Sequence, residues 1–152
     1  MNNLKSLSQT TINFSQARAM LPLVRSIVAD AQSLELQIRR RRHDLNLVIR
    51  GGTGKSAHLY NDELLESQQD LENDQRQLES YRSELSRLGV NLICAEAGEV
   101  EFPITFQDRP VYLCWKVGEE EIGYWREADQ PFYRRQQIPS SALLQLSAPT
   151  GF

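Results

Sequence analysis

Two heptad seams on either side of a glycine-rich break constrain this chain more than any other feature. Ile27, Ala31, Leu34, Ile38, Leu45 and Val48 recur at alternating steps of four and three, with Arg41 filling the gap between Ile38 and Leu45. That spacing lines one edge of a helix with side chains that want a partner. Leu64, Gln68, Leu71, Gln75, Leu78, Leu85 and Leu88 repeat the steps, with Tyr81 or Arg82 between. The two glutamines make this second seam less apolar than a tight coiled coil prefers. Between the seams lies Arg50-Gly51-Gly52-Thr53-Gly54-Lys55-Ser56, where three glycines in four positions stop a helix. Two helices of similar length and a short loop predict an antiparallel hairpin.

The first helix is expected to start at Phe14-Ser15, with Ser15 as cap and Phe14 packing back on the first turn. Pro22 should kink it, or divide it into two helices, before it ends near Ile49. The stretch through Tyr60 is expected to be a mobile hairpin tip. Asn61 or Asp62 is the expected cap of the second helix, with Glu63 and Glu66 near its favourable N-terminal end. Gly89 falls just past the last turn, where a left-handed cap belongs. Residues 1–13 read as a frayed polar leader.

Beyond Gly89 the period changes, and both tryptophans lie there. Val90–Cys94 and Val100–Phe106 read as strands, the second marked as edge or bulge by Pro103. Val111–Val117 carries the strongest strand signal. Gly118–Glu121 reads as a hairpin turn, with Ile122–Arg126 returning. Residues from Ala128 onward read as loop, with one or two helical turns over Ser140–Leu146. The expected fold is α+β: a long antiparallel helical hairpin (14–89) packed with a small antiparallel β-sheet and a C-terminal loop (90–138), one domain over residues 1–152.

A formal net charge of −3 argues against a chain that binds nucleic acid or anionic membrane over its whole surface. No apolar run approaches a membrane span, and the N-terminus lacks the apolar stretch of a secretory signal, so a cytoplasmic protein is expected. Two cysteines, Cys94 and Cys114, are too few for a disulfide framework and are expected reduced and buried.

Several local signals invite chemistry. Gly54-Lys55-Ser56 resembles the end of a phosphate loop. That loop needs a glycine five residues earlier, where this chain has Ile49, and a strand before it rather than a helix. Nucleotide binding is therefore set aside. Arg39-Arg40-Arg41-Arg42 can grip RNA phosphates, or pair with the acidic second helix. Antiparallel counting sets these arginines opposite roughly Asp70–Asp74 and favours pairing. His43 and His58 lack ligand-spaced partners, so no metal ligand is assigned. Glu99, Glu101, Glu119, Glu120, Glu121 and Glu127 crowd the strand region, mostly as turn and edge charges. Strand parity places Tyr112 and Cys114 on one face, Val111, Leu113 and Trp115 on the other, and Tyr124 and Trp125 on opposite sides. The candidate ligand-binding set is Glu101, Trp115, Glu119, Tyr124, Glu127 and Arg134: aromatic walls with carboxylates and a guanidinium. No nucleophile paired with a base is visible, so no catalytic residue and no cofactor is named.

The run Phe14…Ala17…Leu21-Pro22-Leu23, then Leu88-Gly89-Val90, Glu101-Phe102-Pro103, Val111-Tyr112-Leu113-Cys114-Trp115, Gly118-Glu119 and Ile122-Gly123-Tyr124-Trp125 resembles the uncharacterised prokaryotic family called domain of unknown function 2203. The resemblance spans about Phe14 to Gln137. In that family His followed by Glu often succeeds the Tyr-Trp pair. Here Arg126-Glu127 stands in that place, so any metal or proton-transfer role of that His is absent from this chain. The resemblance implies an architecture and carries no reaction.

The function these features predict is a non-enzymatic interaction or regulatory module that self-associates as a homodimer through its hairpin. The alternatives are a small-ligand or metal-binding enzyme using the sheet face, and an RNA-binding helical arm.

Overall fold

The structure, a computed structural model, describes residues 12–51 and 57–142, without the side chains of 57–60. Helix α1 spans Phe14–Gly51 and helix α2 spans Ala57–Arg87. Five strands follow: β1 (Asn91–Cys94), β2 (Glu99–Phe106), β3 (Arg109–Lys116), β4 (Tyr124–Glu127) and β5 (Gln136–Gln137). They pair in sequence order as one antiparallel meander. The fold is α+β, a long helical hairpin against a small antiparallel sheet. No described helix is long and apolar enough to cross a membrane.

The start of α1 is set by Asn13, not by the expected Ser15. The Asn13 side chain accepts from the Gln16 amide at 2.8 Å, and the Asn13 amide donates to the Gln16 side chain at 2.9 Å. This reciprocal box satisfies two otherwise orphaned donors. Pro22 neither divides nor ends the helix. Leu21 and Val24 are buried on either side of it while Pro22 itself is exposed. The core thus holds both flanks, and the Arg18 carbonyl that loses its amide donor lies on the wet side. Helix α2 begins before Asn61 and Asp62, which are exposed helical residues rather than caps. Nothing in Ala57–Tyr60 is a helix breaker. Of the glycine break, residues 52–56 lie outside the described residues.

The end of α2 is as the sequence predicts. Gly89 has φ +82°, the Val90 amide donates to the Leu85 carbonyl at 2.9 Å, and the Gly89 amide donates to Ser86 at 3.0 Å. This is a Schellman closure, sealed by burial of both Leu85 and Val90. At the next turn Gly98, with φ +67°, lies against Val117, and its carbonyl accepts the Val117 amide at 3.0 Å.

Register sorts the sheet into two faces. Val100, Phe102 and Ile104 on β2 lie opposite Trp115, Leu113 and Val111 on β3. These six face α1 and form the core with Phe14, Ala17, Leu21, Val24, Ile27, Val28 and Ala31. Glu101, Pro103, Tyr112, Cys114, Tyr124 and Arg126 share the outer face by the same parity.

Only the first part of α1 is anchored in this way. Its last buried residue is Ile38, and among the described side chains of α2 only Leu85 is buried. Past Ile38 the two helices have little but each other. Arg41 Nη1 lies 2.9 Å from Asp74 Oδ2, an ion pair in the seam that fixes the antiparallel register. Asp74 Oδ2 is buried without an aligned hydrogen bond, so this contact is ionic. The other arginines of the run do not pair with α2 as expected. Arg39 reaches Glu96 at 2.8 Å and Glu35 at 3.3 Å. Arg40 and Arg42 are exposed and make no ion pair among the described residues.

Three sequence expectations for the C-terminal part are corrected. The returning strand is shorter, Tyr124–Glu127. The region after Ala128 is not all loop. It holds a 3-10 turn over Phe132–Arg134 and strand β5, pinned when the Ile138 amide donates to the Gly123 carbonyl at 2.8 Å. Cys94 and Cys114 lie on strands separated by β2, and both are free; Cys114 is buried but Cys94 only half-buried. Of the expected helix at Ser140–Leu146, residues beyond 142 lie outside the described residues.

Candidate functional site

The outer sheet face carries two arginine–glutamate pairs around Cys114. Alternation brings Glu101, Cys114 and Tyr124 side by side on β2, β3 and β4, with Tyr112 opposite Arg126 one step along. Arg126 donates from Nε and Nη2 to Glu101 Oε2 at 2.9 and 2.6 Å. Its Nη1 donates to the carbonyls of Glu127, Ala128 and Gln130, closing the loop after β4. The guanidinium lies over the Tyr112 ring at 4.2 Å. Glu101 is the single buried charged residue among those described, at 5% exposure. An isolated carboxylate there would be very unfavourable, so the pair is a requirement of the fold.

The second pair repeats the pattern. Arg135 grips Glu119 with both terminal nitrogens, at 2.9 and 2.6 Å, and lies over the Tyr124 ring at 4.1 Å. The bidentate bond to Glu119 raises the Arg135 pKa further. Glu119 also accepts the Lys116 amide at 2.9 Å, and its carbonyl accepts the Trp115 indole N–H at 2.9 Å. The β3–β4 loop is thereby tied to both the sheet and β5. Between the pairs sits the Cys114 thiol. Burial first, then the nearby Glu101 charge, push its pKa up to about 12, against smaller opposing effects of Arg126 and Arg135. It is therefore a neutral, inert thiol at ordinary pH.

The six residues singled out from sequence do not form one site. Glu101, Glu119 and Tyr124 belong to the outer face. Trp115 is fully buried on the inner face. Glu127 pairs with Arg109 at 3.2 Å, at the far end of β3. Arg134 is exposed on the 3-10 turn and makes no ion pair among the described residues. The guanidiniums that organise the face are Arg126 and Arg135. The reading from sequence missed both: strand parity with Tyr124 is the signal that could have found Arg126, and nothing local in the sequence marks Arg135. The crowded glutamates are likewise dispersed. Among the described residues no group of three or more His, Cys, Asp and Glu side chains is placed to hold a metal ion.

A long helical hairpin mounted on a five-stranded antiparallel meander, its outer face held by stacked arginine–glutamate pairs, defines the class of this protein. Within that class, a family model described as Uncharacterized conserved protein (DUF2203) matches residues 11–138, and the chain belongs to that family. No curated protein and no solved structure matches it.

Proposed function

We propose that this protein is a non-enzymatic interaction module that pairs with a second copy of itself through the distal half of its hairpin. The observation that carries the reading is the charge division of that half. The α1 side bears Arg39–Arg42 and Arg50; the α2 side bears Asp62, Glu63, Glu66, Asp70, Glu72 and Asp74. Within one hairpin, among the described residues, Arg41 and Asp74 are the one ion pair that joins the two sides. A second hairpin laid face to face, both tips pointing the same way, sets the basic helix of each copy across from the acidic helix of the other.

Apolar exposure near the tip supports the same reading. Leu47, Ile49 and Leu65 are 54%, 52% and 62% exposed. Counting outward from the Arg41–Asp74 pair brings Ile49 and Leu65 to nearly the same level. Side chains of this kind on an arm with one short seam are what a partner helix covers.

Sedimentation equilibrium over micromolar to submillimolar concentrations tests the reading. The expected result is a dimer whose dissociation increases with salt and which Ile49→Glu with Leu65→Glu returns to monomer. A monomeric mass across the whole range refutes it.

A further inference from the structure

On the inner face of the sheet, at the end bearing the β2–β3 turn, lies a cavity of about 180 Å³. Ile104 and Phe106 of β2, Val111 and Leu113 of β3, and Trp125 of β4 form its floor and sides. Ile138, Pro139 and Ala142 line its other side. Protein interiors rarely hold voids much larger than one water. This volume exceeds the roughly 150 Å³ of apolar cavities that stay dry and take up benzene. Walls of this chemistry give water few hydrogen-bond partners, so the space suits an apolar group.

Arg109 is the one charged residue in the wall. Its guanidinium has a single contact among the described residues, Nη1 to Glu127 Oε1 at 3.2 Å. A guanidinium has five N–H donors in a planar fork, so one contact leaves most of them for a second anion. Glu127 is not part of the wall. The Trp125 indole N–H also lacks a partner among the described residues, unlike that of Trp115, which donates to the Glu119 carbonyl. The cavity therefore combines a ring-sized apolar floor with one guanidinium in its wall and no carboxylate of its own.

We propose that this cavity is a binding site for a small aromatic carboxylate, the ring on Trp125 and Leu113 and the carboxylate on Arg109. The site is independent of the hairpin and of the outer face, and either of those readings stands or falls without it.

The test is a titration of the full chain, followed by two-dimensional NMR, with benzoate and with its neutral analogue benzyl alcohol. Benzoate should give saturable shifts at Ile104, Ile138 and the Trp125 indole N–H, and none at the Trp115 indole. Arg109→Gln should weaken benzoate by roughly tenfold or more, the loss of a charge-assisted hydrogen bond, and leave benzyl alcohol unchanged. Ala142→Phe, filling the space from its rim, should abolish both. Absence of saturable shifts at these residues overturns the site. Benzoate affinity that is equal in wild type and Arg109→Gln, or benzyl alcohol bound more tightly than benzoate, overturns the ligand class. Unaltered binding in a folded Ala142→Phe protein places any ligand elsewhere and also overturns the site.

Discussion

Replacing Arg126 with Met keeps most of the side-chain length and removes the charge. The Arg126 and Glu101 side chains are 12% and 6% exposed, so the carboxylate left behind is buried without its counter-ion. Breaking a buried pair from one side costs about 3–5 kcal/mol. The stack on Tyr112 adds about 0.5–2 kcal/mol. The three carbonyls that Nη1 holds lie at the wetter end of the site, where water replaces much of what is lost. The expected total is about 4–6 kcal/mol, a large part of the ~5–15 kcal/mol that holds a domain folded. Glu101→Gln added to Arg126→Met should recover about 1–3 kcal/mol, because a neutral amide then replaces an unpaired buried charge. Urea unfolding at one fixed protein concentration, followed by tryptophan fluorescence, measures both. A loss below about 1 kcal/mol for Arg126→Met, or strict additivity of the two changes, would refute the view that this pair is a condition of the fold.

Two further outcomes follow from the turn at Gly98 and from the buried thiol. A Cβ on Gly98 would lie 2.4 Å from Val117 Cγ2, at φ +67°. Gly98→Ala should therefore cost about 2–4 kcal/mol in thermal or chemical unfolding, from backbone strain and overpacking together. Cys114 keeps its proton to about pH 12 when folded, against an ordinary value of 9.0. The folded state thus binds a proton that the unfolded state has released, and stability falls as pH rises from 9 toward 12. The loss approaches about 1.4 kcal/mol per pH unit. A Cys114→Ala protein should lack this part of the alkaline slope, and equal slopes in the two proteins would count against the buried, neutral thiol.

What the sequence made legible was whatever repeats. The heptad steps place Arg41 in the seam and antiparallel counting sets its run opposite roughly Asp70–Asp74; the structure pairs Arg41 with Asp74. Strand parity assigned Tyr112 and Cys114 to one face and Leu113 and Trp115 to the other, as the register has them. Events decided by a single residue or by distant packing were not legible. Asn13 and Gln16 have capping-box spacing, but the reading of residues 1–13 as a polar leader hides it and moves the cap to Ser15. Pro22 breaks helices in isolation; here burial of its neighbours outweighs it. Strand β5 is two residues long and depends on the Gly123 carbonyl far back in the chain, so no local pattern announces it. The candidate site suffered most. Arg126 was read as the absence of a histidine, whereas it is the donor in five hydrogen bonds. Arg134 was preferred to its neighbour Arg135, a choice that only the fold could correct.

Because the seam repeats every seven residues, the reach of the hairpin is a quantity separate from everything the sheet does. One heptad inserted into each helix beyond Ile38 preserves the antiparallel register and lengthens the arm by about 10 Å at 1.5 Å per residue. One heptad removed from each shortens it equally. Neither change touches the core beneath Trp115 or the paired arginines on the outer face. The distance between whatever the tip engages and whatever the sheet engages is thus set by counting residues, and selection can adjust it without redesigning either end.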